Sequence, residues 1–162
     1  MAERWVINAS PVILLAKAEV IQFVPLVCEQ LVIPAGVVQE VRRGQMSDAG
    51  FAWLQGGGAR FLAEPLAVPP EISEWDLGLG EAEVLAWTMA RPGFTAVLDD
   101  LQARRCAEKF RLPLIGSLRV LLILKERKLI PAIRPAVEKF KEAGSYFSTA
   151  LIEQALTLAG ET

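Results

Sequence analysis

The sequence predicts an α/β fold, a parallel sheet with helices over both faces, and three observations lead there. Its strand-like segments, "RWVIN", "QLVIP", "FTAVL" and "LPLIG", are short and apolar throughout rather than alternating. That is the pattern of strands buried on both sides. Helical stretches alternate with them along the chain, as crossover connections require. The 162 residues are 52% hydrophobic with a mean hydropathy of +0.35, enough for one domain over 1–162 with a core of its own.

The elements follow in order. "RWVIN" is the first strand, and "SPVILLAKA" is a helix with Ser10 as its cap and Pro11 at its first position. "EVIQFVPLVC" reads as a second helix broken near Pro25, followed by the strand "QLVIP". "AGVVQEVRRG" is a helix stopped by Gly44, and "SDAGFAWLQGGG" a helical turn capped at Ser47 or Asp48. "FLAEPLAVPPEISEWDLGLG", with its three prolines, is irregular. "GEAEVLAWTMA" is a helix, "FTAVL" a strand and "DLQARRCAEKF" an amphipathic helix. "LPLIG" is a brief strand, "SLRVLLILKERK" a strongly apolar helix capped at Ser117, and "PAIRPAVEKFKEAG" and "STALIEQALTLAG" two closing helices.

Composition narrows the chemistry. There is no histidine, which excludes a histidine triad, histidine-ligated zinc and imidazole acid/base catalysis. Cys28 and Cys106 sit alone in apolar or helical surroundings and read as small core residues. The net charge of −2 leaves no global basic footprint, so nucleic-acid binding needs a local patch. No apolar run approaches the roughly 18 residues of a membrane span, and "MAERWVINAS" lacks a signal-peptide pattern, so no membrane association is expected and a cytoplasmic location is.

What remains is carboxylate chemistry. In parallel sheets the functional crevice lies beyond the carboxyl ends of the strands, at the point where strand order reverses. Asn8, Asp99 and Asp100 fall at such ends. Each alone is an ordinary helix cap. Acids sharing one crevice repel each other, however, unless a cation or a proton lies between them. Glu40 follows the strand "LVIP" on the next helix, and Glu81 begins the "GEAEVLAWTMA" helix, where a carboxylate also complements the helix dipole. Glu83, about 200° further round that helix, should point elsewhere, onto a solvated face.

Together "VINASPVILLAKA", "IPAGVVQEV", "LGLGEAEVLAWTMA", "AVLDDLQARRCAEKFRLPLIGSLRVLLILKERKLIP" and "YFSTALIEQALTLAGE" resemble the PIN-domain superfamily. More narrowly they resemble a prokaryotic PIN-like branch, the toxin halves of toxin–antitoxin pairs. The resemblance runs in order from Val6 to Glu161, and "LGxGEAE" followed by "LDDxxAR" and "LIGS" carries most of it. It implies a three-layer α/β/α fold with a short central parallel sheet and an acidic cluster binding Mg²⁺ or Mn²⁺. It further implies hydrolysis of single-stranded RNA, a homodimer and an antitoxin protein as partner. Glu40, Glu81 and Asp100 match the family's catalytic acids, Asp99 being an alternative reading of the last. Asn8 stands where the family has its first-strand acid. The implied metal ligands are therefore Asn8, Glu40, Glu81, Asp99 and Asp100.

A metal phosphodiesterase needs hard oxygen ligands and retained waters, and no histidine. An amide at Asn8 still offers an oxygen, but a neutral one. Ser10 and Ser117 are candidates to orient water or phosphate. Among the arginine pairs Arg42–Arg43 and Arg104–Arg105, with Arg119, Arg104 is the candidate phosphate contact. Trp5, Trp53, Trp75 and Trp87 are either base-stacking platforms or core residues. The rival reading is a catalytically inactive PIN-like binding or scaffolding module, favoured by Asn8. A phosphoacceptor receiver fails because the first strand ends in Asn8 and no lysine follows "LPLIGS". A dinucleotide-binding domain fails because "NASPV" replaces a glycine-rich turn.

Overall fold

The computed structural model describes residues 3–44 and 48–162. Four parallel strands, β1 (Glu3–Ile7), β2 (Cys28–Val32), β3 (Thr95–Val97) and β4 (Leu114–Ile115), form one sheet in the order β2-β1-β3-β4. The helices among the described residues are α1 (Ala9–Lys17), α2 (Val24–Val27), α3 (Ala35–Arg43), α4 (Asp48–Gln55) and α5 (Pro70–Ser73). They continue with α6 (Leu79–Ala90), α7 (Leu101–Lys109), α8 (Ser117–Glu126), α9 (Arg134–Glu142) and α10 (Thr149–Leu158).

The fully apolar strands take the centre of the sheet, where water reaches neither face. Trp5, Val6 and Ile7 of β1 and Ala96 and Val97 of β3 are completely buried. Edge strand β2 is half exposed, and it starts at Cys28, two residues before the expected "QLVIP". The second helix breaks as its proline demands: a 3₁₀ turn at Ile21–Phe23 gives way to α2 with Pro25 in its first turn. α6 packs on β1, β3 and α7, while α1 packs against α8 and α9. Helices flanking the four-stranded parallel sheet complete the three-layer α/β/α fold.

Two expected caps are corrected. α1 starts at Ala9, one residue before Ser10, because the chain leaves the sheet at once: the Asn8 N–H donates to Val97 O at 3.0 Å and Asn8 O accepts from Val12 N at 3.2 Å. α8 begins at Ser117 itself, with Gly116 at the cap position. The cap expected at Ser47 or at the Asp48 side chain lies outside the described residues. The apolar helix "SLRVLLILKERK" is spent on this chain's own core, since Val120, Leu121 and Leu124 are completely buried and Leu122 and Ile123 nearly so. Cys106 is buried and Cys28 is partly covered, both as free thiols; burial pushes the Cys28 thiol up to about 12.

No single described helix is long and apolar enough to cross a membrane. The bent pair formed by α1 and Ile21–Val27 passes that test only jointly, with a 113° break, and α1 is a core helix.

Candidate active site

Strand order reverses between β1 and β3: the chain steps from β1 outward to β2, then returns past β1 to β3 and β4. Ile7 and Val97 are register partners there, so Asn8 and the Asp99–Asp100 pair leave the sheet side by side. They open into a cavity of about 720 Å³, within the usual range for ligand sites. Asn8, Ser10, Glu40, Glu81, Asp99 and Asp100 all line it, and the opposite wall is the α9–α10 loop from Ala143 to Phe147.

Each acid has a different local tie. Asp100 caps α7, its Oδ2 accepting from the Ala103 N–H at 2.9 Å. Asp99 turns the other way: its Oδ1 accepts from the Ser117 N–H at 2.8 Å and its Oδ2 from the Ser117 hydroxyl at 2.6 Å. Burial pushes the Asp99 carboxyl above its ordinary range, against the pull of those two bonds and of nearby Arg104. Arg104 itself donates to Leu98 O at 3.1 Å. Ser117 and Arg104, both expected to contact substrate, thus lie beside Asp99 and not in the lining of the cavity. Ser117 is wholly buried. Ser10 stays at the cavity wall, exposed.

Glu40 and Glu83 form a reciprocal device that the sequence reading missed. Glu40, on α3, accepts from the Gly80 N–H at the start of α6 at 2.7 Å. Glu83, on α6, accepts from the Gly36 N–H at the start of α3 at 2.9 Å. Glu83 is 5% exposed, so the expected solvated face is wrong. The signal was present: Pro34 and Gly78 precede these helices, and neither side chain can cap the free N–H groups. A side chain at either glycine would crowd the contact. A Cβ on Gly80 would stand 2.9 Å from the Glu40 carboxylate, and one on Gly36 2.7 Å from Leu79 Cγ.

Glu81 and Asn8 carry the unfinished chemistry. Glu81 Oε2 and Asn8 Oδ1 are buried without a hydrogen-bond partner, and Asn8 is only 2% exposed. Burial, then the charges of Glu40 and Asp100, push the Glu81 carboxyl up, while its own backbone N–H and the Asn8 amide pull it down. Glu81 and Glu40 crowd the same spot: a Cβ on Gly78 would lie 2.6 Å from Glu81 Oε2 and 3.1 Å from Glu40 Oε1.

These oxygens suit a hard divalent cation, because Mg²⁺ takes one or two carboxylates and keeps several waters. Among the described residues no group of three or more Cys, Asp and Glu side chains is arranged to hold a metal ion by itself. The fit is thus to a water-rich ion near Glu81 and Asn8, not to a closed protein cage. None of the described residues lining the cavity is lysine or arginine.

The tryptophans are packed elsewhere. Trp5 is in the core, Trp53 lies against Phe61 with ring centroids 6.4 Å apart, and Trp87 sits under Arg91. A second cavity, about 340 Å³, lies along β2 beside Phe61, Trp87 and Arg91. Its carboxylate, Glu29, is paired with Arg4 at 3.4 Å.

An acid-lined crevice at the switch point of a short parallel sheet is what the fold and site define. The chain belongs to the PIN-domain family DUF3368, which it matches over residues 4–161. PIN domains generally use divalent metals. No curated protein matches the chain.

Proposed function

We propose that this protein is a divalent-metal-dependent endoribonuclease acting on single-stranded RNA, the toxin component of a toxin–antitoxin pair. The observation that carries the reading is the pair of buried oxygens, Asn8 Oδ1 and Glu81 Oε2, left without hydrogen-bond partners in a cavity ringed by Glu40, Asp99 and Asp100. A buried unpaired carboxylate oxygen is costly, and a bound cation offsets that cost.

In this reading Asn8 and Glu81 would hold a water-rich Mg²⁺ or Mn²⁺, with Glu40 and Asp100 reaching it through its waters and Asp99 in reserve behind them. The ion supplies a water of lowered pKa and neutralises charge that builds on the phosphate oxygens. The protein's own groups do the placing. Gly80 N–H fixes the Glu40 carboxylate, Ala103 N–H fixes that of Asp100, and Ser117 fixes that of Asp99. Glu81 Oε2, buried without a hydrogen-bond partner, is the carboxylate oxygen left free to meet the ion.

Partners follow from the same proposal: RNA, an antitoxin protein, and a second copy of the chain. With α8 internal, a homodimer would draw on exposed apolar residues such as Leu151 and Leu158, which share one face of α10.

The second reading, an inactive binding or scaffolding module, is favoured by Asn8, which removes one charge from the pocket. Cleavage of mixed single-stranded RNA in Mn²⁺, with EDTA as control, decides between them. Metal-dependent cleavage that disappears in Asp100→Asn and Glu81→Gln supports the nuclease. No cleavage, even from Asn8→Asp, supports the module.

A further inference from the structure

The cavity needs a source of affinity for nucleic acid that is not a side-chain cation. Its described lining has no lysine or arginine, and Arg104 is committed to Leu98 O and the neighbourhood of Asp99. A bound cation meets one phosphate, and the acidic floor repels the rest. What the cavity does offer is an aromatic lip.

Tyr146 is the chain's only tyrosine and is completely exposed, at 102% of its reference area. Its neighbours are anchored. Gly144, at φ +80°, ends α9 in a left-handed turn, and the Ser145 N–H donates to Phe140 O at 3.1 Å. The Phe147 ring meets that of Phe140 with centroids 6.0 Å apart, and the Ser148 hydroxyl caps α10 by accepting from the Leu151 N–H at 3.1 Å. The fold thus holds both sides of Tyr146 and makes no use of its ring. Leu101, 61% exposed at the start of α7, lines the same cavity next to Asp100.

We propose that Tyr146 is a nucleobase-stacking platform: it receives an unpaired base of the bound strand while the adjoining phosphodiester lies over Glu81 and Asp100. Leu101 supplies an apolar contact to the same nucleotide. This rests on the nuclease reading and names the residue that would hold a base of its single-stranded substrate. A duplex buries its bases and cannot use the lip. Stacking on one aromatic ring is sequence-tolerant, so the preference is for single strands rather than for one sequence.

The test uses the whole chain with 3-fluorotyrosine at its single tyrosine. Fluorine NMR is recorded as a short phosphorothioate single-stranded RNA, resistant to hydrolysis, is added with Mg²⁺. The fluorine signal is expected to shift saturably, with no matching shift from the same RNA annealed to its complement. Tyr146→Ala should weaken RNA binding by roughly 5- to 100-fold while Tyr146→Phe keeps it. Because the side chain makes no contact in the fold, loss of folding does not confuse the result, and an unchanged melting curve checks this. RNA that binds with no fluorine shift, and equally well to Tyr146→Ala, overturns the stacking role and leaves the nuclease reading standing. RNA that fails to bind at all with Mg²⁺ overturns both.

Discussion

Asn8 and Glu81 bring unsatisfied oxygens to the cavity. Both side-chain oxygens are buried and unpartnered, and both sit at the first residues after a strand or within a helix's first turn, where the backbone dictates their position. Replacing the neutral amide by a charge, Asn8→Asp, is expected to tighten Mn²⁺ binding by roughly tenfold, since ligand charge sets affinity at oxygen sites. Calorimetric titration reads this directly, and an unchanged affinity would argue against Asn8 as a ligand. Asp99 is different. Its carboxylate is held by Ser117 rather than aimed at a ligand. Ser117→Ala therefore removes a buried donor from a carboxylate already short of solvent, at a cost of about 1–3 kcal/mol in stability. Chemical denaturation should show that loss while metal affinity changes little.

At the scale of elements, α3 and α6 are locked by an exchange of carboxylates, Glu40 to Gly80 N–H and Glu83 to Gly36 N–H. The exchange couples stability to the site because one of the two acids lines the cavity. Glu83→Ala would strand the buried Gly36 N–H and is expected to cost about 1–3 kcal/mol. Gly80→Ala separates the two roles. Alanine favours the helix by up to about 1 kcal/mol, but its Cβ would displace the Glu40 carboxylate, now 2.9 Å from that position. A near-normal melting temperature with Mn²⁺ affinity reduced is the expected pair of results; normal affinity would show that Glu40 stands outside the metal site.

Across the whole molecule, the chain's end is tied back by Glu161. Its carboxylate accepts from the Ile133 N–H at 2.8 Å and the Arg134 N–H at 3.0 Å and pairs with Lys125 at 2.9 Å. Partial burial pushes its pKa up, but those donors outweigh burial, so the folded value lies below the usual glutamate range. The stability it contributes is thus present above the unfolded glutamate pKa and lost as pH falls through the lower folded one. Glu161→Gln should cost about 2–3 kcal/mol at neutral pH and flatten the acid limb of the stability profile, measured by urea denaturation across pH.

Much of the architecture was legible because apolar strands and capping residues are local signals. The parallel sheet followed from "RWVIN" and "FTAVL", and the gathering of Asn8, Asp99 and Asp100 followed from where such strands end. Partner choice across the fold was not legible. Nothing local reveals that Glu83 caps a helix 47 positions away, that Ser117 serves Asp99, or that the apolar face of α8 turns inward. Tyr146 escaped notice for the same reason, since its exposure depends on a turn at Gly144 and on the ring of Phe140.

The central claim is that this crevice is a divalent-metal site, and one measurement reaches it directly: anomalous diffraction at the manganese edge from crystals soaked in Mn²⁺. A single strong peak is predicted in the cavity beside Glu81 Oε2 and Asn8 Oδ1, with water completing its shell toward Glu40 and Asp100. An empty cavity at saturating Mn²⁺, or a peak only on surface carboxylates elsewhere, would contradict the account.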